Sequence, residues 1–332
     1  MEYTPVNEET QTIGNYLPQV VEQIEVKKSK SSFIEANTVE CSLHEVNNTH
    51  IIPVYTRENT PLISQGDFLE AAMVASSRVY ANERILKPDI RVSHPIKGRI
   101  PEARNKPANQ LEEWEKTLYY DRLAFIIEVP SIFTDVDGNK LTLTIAGVKC
   151  YSQENLLSKS FEQSFKIAVG FTCKVCTNLC INSDGFVKEL KVKNVDALYN
   201  GIHYLLSEFN AVQFADQLKT LTNCELSESQ FAHLVGRARM YRHMPEGLKQ
   251  QIPDLMFGDS QINSVCRDYY SDLSFCRNEG GNISLWKLYN LFTGANKSSY
   301  IDSYLERATN AFQLTQHIQT ALDNRSTSWF LN

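Results

Sequence analysis

No basic segment followed by an apolar one opens the sequence, so a secretory leader is not expected. The apolar run at 123–127 falls far short of the ~20 residues that cross a bilayer, so no membrane association is expected. Cysteines number eight in 332 residues at irregular spacing, too sparse for a disulfide scaffold. Reduced thiols in a cytoplasmic setting follow as the simplest expectation. There is no Ser in a G-x-S-x-G context and no HExxH, so neither signature supports catalysis, and a non-enzymatic protein without a cofactor is expected. TGANKSS (293–299) lacks the spaced glycines and the Gly-Lys-Ser order of a phosphate loop. Gly294 is instead expected to end a helix over 286–292. DVDGN (135–139) lacks the closing Glu of a calcium loop and reads as a hairpin turn. A global excess of positive charge is missing too: the formal charge is −6, so any nucleic-acid contact must come from a local patch.

What is present is ordinary globular material, 42% hydrophobic and 22% charged. Residues 1–37 are polar, with Lys27, Lys28 and Lys30 among serines, and read as a flexible arm. Residues 38–193 read as a β-rich α+β region, and 194–332 as a helical region packed against it in one cooperative unit. Strands first and helices afterwards give an α+β fold with a central antiparallel sheet and a mainly helical C-terminal half.

Individual elements can be placed. Residues 39–55 read as a hairpin turning at Asn47-Asn48-Thr49. Ser64 with Asp67 makes a capping box before Phe68, Ala71, Ala72, Ala75 and Val79, which recur at helical spacing. A second helix is expected over 109–118. Strands are expected at 123–129 and 141–148, joined by Asp137-Gly138-Asn139, and again at 165–171. VCTNLCI (175–181) is expected to pair with FVKELKV (186–192). Ser227 with Gln230 caps a later helix, and a last long helix covers about 300–322.

Two basic groups are the candidate nucleic-acid contacts. Residues 84–106 hold seven Lys or Arg against Asp89 and Glu102, in a stretch that Pro88, Pro95, Gly98 and Pro101 mark as a long loop. Arg91, Lys97, Arg99 and Arg104, with His94 beside them, could meet phosphate oxygens there. Arg237, Arg239 and Arg242 follow in GRARMYRHMP, interleaved with Met240 and Tyr241, a mixture suited to single-stranded nucleic acid. Cys173, Cys176 and Cys180 have zinc-like spacing at first sight. Read as a strand, 175–181 sets Cys176 and Cys180 about 13 Å apart, too far to share an ion, and no metal site is assigned.

IRVSHPIKGRIPEARNKP, EKTLYYDRLAFIIEVPSI, VCTNLCINSDGF and the stretch at 282–312 together resemble the domain of unknown function 3871 family of gut-type Bacteroidota. That family's pattern needs Cys176 and Cys180 but not a cysteine at 173. VCTNLC and WKLYNLFTGA are also similar to a broader phage- and plasmid-like family. The resemblance implies an accessory protein of a mobile element, serving DNA maintenance, recombination or transfer, and it marks Asn178 and Asn290 as candidate site residues. The expected partner is DNA, single- or double-stranded. The alternatives are a protein-binding modulator of a host factor, such as a defence component, and a metal-dependent enzyme.

Overall fold

The computed structural model describes residues 32–48, 62–154, 162–250 and 252–331. A two-residue strand β1 (Val39–Glu40) leads into helices α1 (Leu43–Asn48) and α2 (Gln65–Val79). The hairpin expected over 39–55 is therefore overturned in its first arm. Ser42 accepts the Glu45 N–H at 3.1 Å and starts a helix where a strand was expected. The second arm, 50–55, lies outside the described residues, as does 1–31 of the polar arm. The capping box at α2 forms as expected, with Ser64 accepting from Asp67 N–H and returning its own N–H to the Asp67 carboxylate, both at 2.9 Å.

Strands β2 (Asp89–Val92), β3 (Pro95–Arg99), β4 (Lys116–Tyr120), β5 (Arg122–Val136), β6 (Asn139–Cys150), β7 (Gln163–Cys173), β8 (Leu179–Cys180) and β9 (Phe186–Val192) follow. The main sheet is antiparallel in the order β1-β2-β5-β6-β7, and β8 and β9 share the outer edge of β7. The expected 123–129, 141–148 and 165–171 strands are its centre. Asp137 (φ 53°) and Gly138 (φ 73°) both take left-handed backbone between β5 and β6, which a two-residue type I′ turn requires. Pro130 has no N–H to give the ladder, and the register between β5 and β6 slips from Val129 to Phe133 around it.

Three expectations fail in this region. The 84–106 stretch is not a loop: Ile90 and Val92 are buried, and β2 and β3 form within it. The 109–118 helix gives way to short 3-10 turns and β4, because β4 finds its partner in β3 and the ladder outweighs local helix propensity. The 175–181 segment does not pair with 186–192. Residues 174–176 form a turn, and β8 and β9 each pair with β7 instead.

Period-two alternation sorts the sheet's side chains into two cores. Leu123, Phe125, Ile127, Leu141, Leu143, Ile145, Phe165, Ile167 and Val169 are buried in the larger. Phe68 of α2 fits among them, with its ring 5.0 Å from Phe125 and 4.8 Å from Phe165. On the other face Ile126, Ala146 and Ala168 are in register across three strands. The two alanines leave room for Phe33, Ile34 and the last helix.

The C-terminal half supplies α3 (Val195–Glu208), α4 (Ala211–Thr220), β10 (Glu225–Leu226), α5 (Glu228–Tyr241), α6 (Glu246–Lys249), α7 (Asp259–Ser271), β11 (Ile283–Ser284), α8 (Leu285–Asn296) and α9 (Ile301–Asp323). The Ser227–Gln230 capping box at α5 and the long last helix are as expected. Helix α8 does not stop at Gly294 but runs two residues further, and the Lys297 N–H closes on the Gly294 carbonyl at 3.1 Å. Ile301, Tyr304, Leu305 and Ala308 of α9 cover the second sheet face, while Ala311, Phe312, Leu314 and Ile318 join the larger core.

Gly170 on β7 tests the close fit of β8. A Cβ there would lie 2.1 Å from the Cys180 carbonyl oxygen, a backbone atom that cannot move without opening the ladder. Gly170→Ala is expected to cost about 1–3 kcal/mol, read from the urea unfolding midpoint. An unchanged midpoint would show that β8 is held loosely.

Candidate functional site

The ladder between β3 and β4 decides where the first basic group points. Lys97 lies opposite Leu118 and Arg99 opposite Lys116, so Lys97, Arg99 and Lys116 share one face of the ribbon. Lys97, Lys116 and Leu118 on that face are exposed, and Arg99 is half-buried. The other face is covered: Thr117 is buried, and Tyr119 sets its ring edge-on to Tyr151 at 5.9 Å. The ribbon is thus amphipathic, with cations outward and its covered side against the body. Trp114, two residues before β4, is 70% exposed and adds an aromatic surface at the approach to the ribbon.

The ribbon's base is tied down. Arg99 donates to the Lys106 carbonyl, and Lys106 in turn meets Glu115 at 2.7 Å. The Lys106 ammonium and the Glu112 N–H hold the Glu115 carboxyl below its ordinary value. Lys116 is paired with Glu113 on the surface. The side chains of Lys97 and Arg104 make no hydrogen bond or ion pair with any described residue.

Arg91, on β2, is spent differently. Its Nε donates to Thr38 Oγ1 at 3.2 Å and its Nη2 to the Thr38 carbonyl at 3.1 Å, which fastens β1's approach to the sheet. His94 is exposed between β2 and β3.

The second basic group lies on a separate substructure, helix α5. Arg237 stacks over Trp329 at 5.1 Å, Arg239 donates to Asn263, and Arg242 faces Asp259 at 3.5 Å. Beside the helix end is a cleft of about 600 Å³ that Arg242, Lys249 and Arg307 line together with Tyr241, Glu246 and Asp254. Burial makes Arg307 a weaker base than usual, and Arg242 adds to that effect. Its Nε is anchored on the Met256 carbonyl at 2.9 Å. Lys249 pairs with Glu246 at 2.7 Å, and Tyr241 donates to Asp254 at 2.9 Å. The cleft's charges are largely balanced by their own neighbours.

Asn178 and Asn290 are brought together. Both are buried, and Asn178 Nδ2 donates to the Asn290 carbonyl at 3.0 Å, while Asn290 Nδ2 donates to the Trp286 carbonyl at 2.9 Å. The pair ties the turn before β8 to the middle of α8, and each amide satisfies a buried backbone acceptor. Among the described residues, no three of His, Cys, Asp and Glu gather in a way that could hold a metal ion. No helix among those residues is long and apolar enough to cross a membrane.

Sequence reasoning named Lys97, Arg99 and Arg242 but missed Lys116, Trp114 and Arg307. Lys116 was hidden inside an expected helix, and its alternation with buried Thr117 is the signal that would have found it. Arg307 lies sixty-five positions after Arg242 and no local pattern links them. No curated protein and no solved structure matches the chain, whereas one family model aligns with residues 16–331. The chain therefore belongs to the family described as Domain of unknown function, B. Theta Gene description (DUF3871).

Proposed function

We propose that this protein is a non-enzymatic DNA-binding accessory factor of a mobile element, acting in maintenance, recombination or transfer, and that the β3–β4 ribbon makes the contact. The observation that carries this reading is the register that sets Lys97, Arg99 and Lys116 on the outward face of a two-stranded ribbon. A ribbon of that width enters the major groove of a duplex, and its cations meet the flanking phosphates. Trp114 offers a platform on which an unpaired base can stack. Arg104 extends the cationic edge. Arg237, Arg239 and Arg242 are the secondary contacts, reached by a longer strand.

The test is fluorescence anisotropy of the full chain with labelled single-stranded and duplex oligonucleotides. Binding is expected at ~50 mM salt and should weaken steeply as salt rises, because each neutralised phosphate releases counterions. With three ribbon cations engaged, log affinity against log salt should slope at about −2 for single strands or about −3 for duplex. Undetectable binding at low salt, or an affinity indifferent to salt, sinks the reading.

A further inference from the structure

The turn that carries the chain from β7 to β8 has a chemistry of its own. Cys173 ends β7, and its N–H donates to the Asn178 carbonyl at 3.0 Å. The Thr177 N–H returns to the Cys173 carbonyl at 2.8 Å, and Thr177 takes left-handed backbone (φ 57°), so residues 173–178 close into one tight turn. Within it the Cys176 thiol donates to the Cys173 sulfur, and the backbone N–H groups of Val175 and Cys176 are directed at the same sulfur. Lys297, just beyond α8 and only 8% exposed, donates to the Cys176 carbonyl and to Thr177 Oγ1, the latter at 2.9 Å. The groups that face the pair from other elements are Lys297, Tyr304 of α9 and the buried Cys180 of β8, while Glu35, from the segment before β1, and Asp272, just after α7, act on Lys297 in turn.

This is an environment that stabilises a thiolate. The Cys176 thiol, then the two backbone N–H groups and Lys297, hold the Cys173 thiol well below its ordinary value. Cys176 is pushed up by the same shared proton and by burial. Burial pushes the thiols of Cys41, Cys150, Cys180 and Cys266 up as well, so a lowered thiol is a property of this turn and not of the protein's interior in general. Cys173 is fully buried, whereas Cys176 is half-buried and reachable from solvent.

We propose that Cys173 and Cys176 form a redox-active dithiol that a hydroperoxide closes into an intramolecular disulfide. The two sulfurs lie three residues apart in a single turn and already share a hydrogen bond, a starting geometry for the bond. The Cys173 thiolate acts as the base and takes the shared proton as the accessible Cys176 sulfur begins its attack. Cys176 attacks the O–O bond, its sulfenic acid forms, and the departing hydroxide takes the Cys173 proton as water. The Cys173 thiolate then attacks the Cys176 sulfur, the S–S bond forms and a second hydroxide leaves. Two electrons pass from the two sulfurs to the peroxide, which is reduced to water and hydroxide. The closed bond removes the anion beside Lys297.

The experiment treats the full, folded chain with hydrogen peroxide, blocks remaining thiols with iodoacetamide, digests it and weighs the peptides. The expected result is that the peptide containing Cys173 and Cys176 loses two hydrogens and escapes alkylation at both sulfurs, and that dithiothreitol restores both. Cys180→Ala should leave this linkage intact, and Cys176→Ser should abolish it. In untreated protein, alkylation of the pair should begin at a pH below that of an ordinary thiol, and Lys297→Met, checked for folding by circular dichroism, should move that onset upward. Normal alkylation of both thiols after peroxide overturns the proposal, as does a linkage that runs to Cys180 instead.

Discussion

Glu154→Ala should destabilise this protein by about 3–5 kcal/mol, the range for breaking a buried ion pair from one side. The reason lies in Lys149, whose side chain is 0% exposed against 3% for Glu154. Lys149 reaches Glu154, donates to the Ser164 carbonyl at 3.1 Å, and lies over the rings of Phe165 (4.0 Å) and Tyr151 (5.4 Å). Glu154 also accepts the Ser164 N–H at 3.1 Å, so it closes a small network between β6 and β7. Without the carboxylate, an ammonium is left among aromatic rings with a carbonyl as its main partner.

The pH dependence follows from the sign of the shift. Burial makes Lys149 lose its proton more readily than the ordinary value of 10.5 allows, even against the pull of Glu154. A base whose folded value is depressed binds fewer protons folded than unfolded, so stability rises with pH between the folded value and 10.5. Removing Glu154 widens that window, and the defect of Glu154→Ala should shrink as pH climbs through it. Chemical denaturation at several pH values checks both points. Replacing the pair together by Lys149→Met and Glu154→Leu should recover most of the loss, since an apolar pair of similar volume needs no solvation. A single-mutant loss below about 1 kcal/mol would mean the pair exchanges with water and behaves as a surface bridge.

Lys97→Glu combined with Lys116→Glu should weaken oligonucleotide binding by more than about a hundredfold. A charge-assisted hydrogen bond contributes about 1.5–3 kcal/mol, so losing two removes about 3 kcal/mol or more, and each factor of ten corresponds to about 1.4 kcal/mol. Neither residue packs in a core, and Lys116 gives up only a surface pair with Glu113, so the fold should be unaffected. The control is Lys193→Glu with Lys219→Glu, two exposed lysines in surface pairs. It changes the net charge equally. If control and ribbon variants weaken binding alike, the contact is diffuse attraction and the ribbon has no special part. If the ribbon variant alone loses affinity and flattens the salt dependence, the assignment stands.

Much of the fold could be read from the sequence where a strong local device and a periodic pattern coincided. Ser64–Asp67 and Ser227–Gln230 marked helix starts, and Asp137-Gly138 between alternating runs marked the β5–β6 hairpin. What escaped was pairing between segments with weak local signals. Strands β3 and β4 are five residues each, and the Pro and Gly that flank or interrupt β3 read as breakers. Only the ladder between them shows that Pro95 opens a strand. The 175–181 segment failed for a related reason: its apolar residues suited a strand, but the edge of β7 was already divided between β8 and β9. The site shows the same division. Lys97 and Arg99 stood out by charge, whereas Lys116 needed the ribbon's register and Lys297 needed the tertiary contact of α8 with the cysteine turn.

Two segments far apart in the sequence meet on the same sheet surface, where the rings of Phe33 and of Tyr304 in the first turns of α9 lie 6.0 Å apart. During synthesis, the strands from β2 to β9 leave the ribosome well before Tyr304 exists to shelter Ala124, Ile126, Ala146 and Ala168. A nascent chain therefore presents a bare apolar surface for more than a hundred residues of elongation, and final closure waits on contacts between segments about 270 positions apart, a slow and collision-prone step. Removing either Phe33 and Ile34 or the first half of α9 would leave that surface open to other molecules.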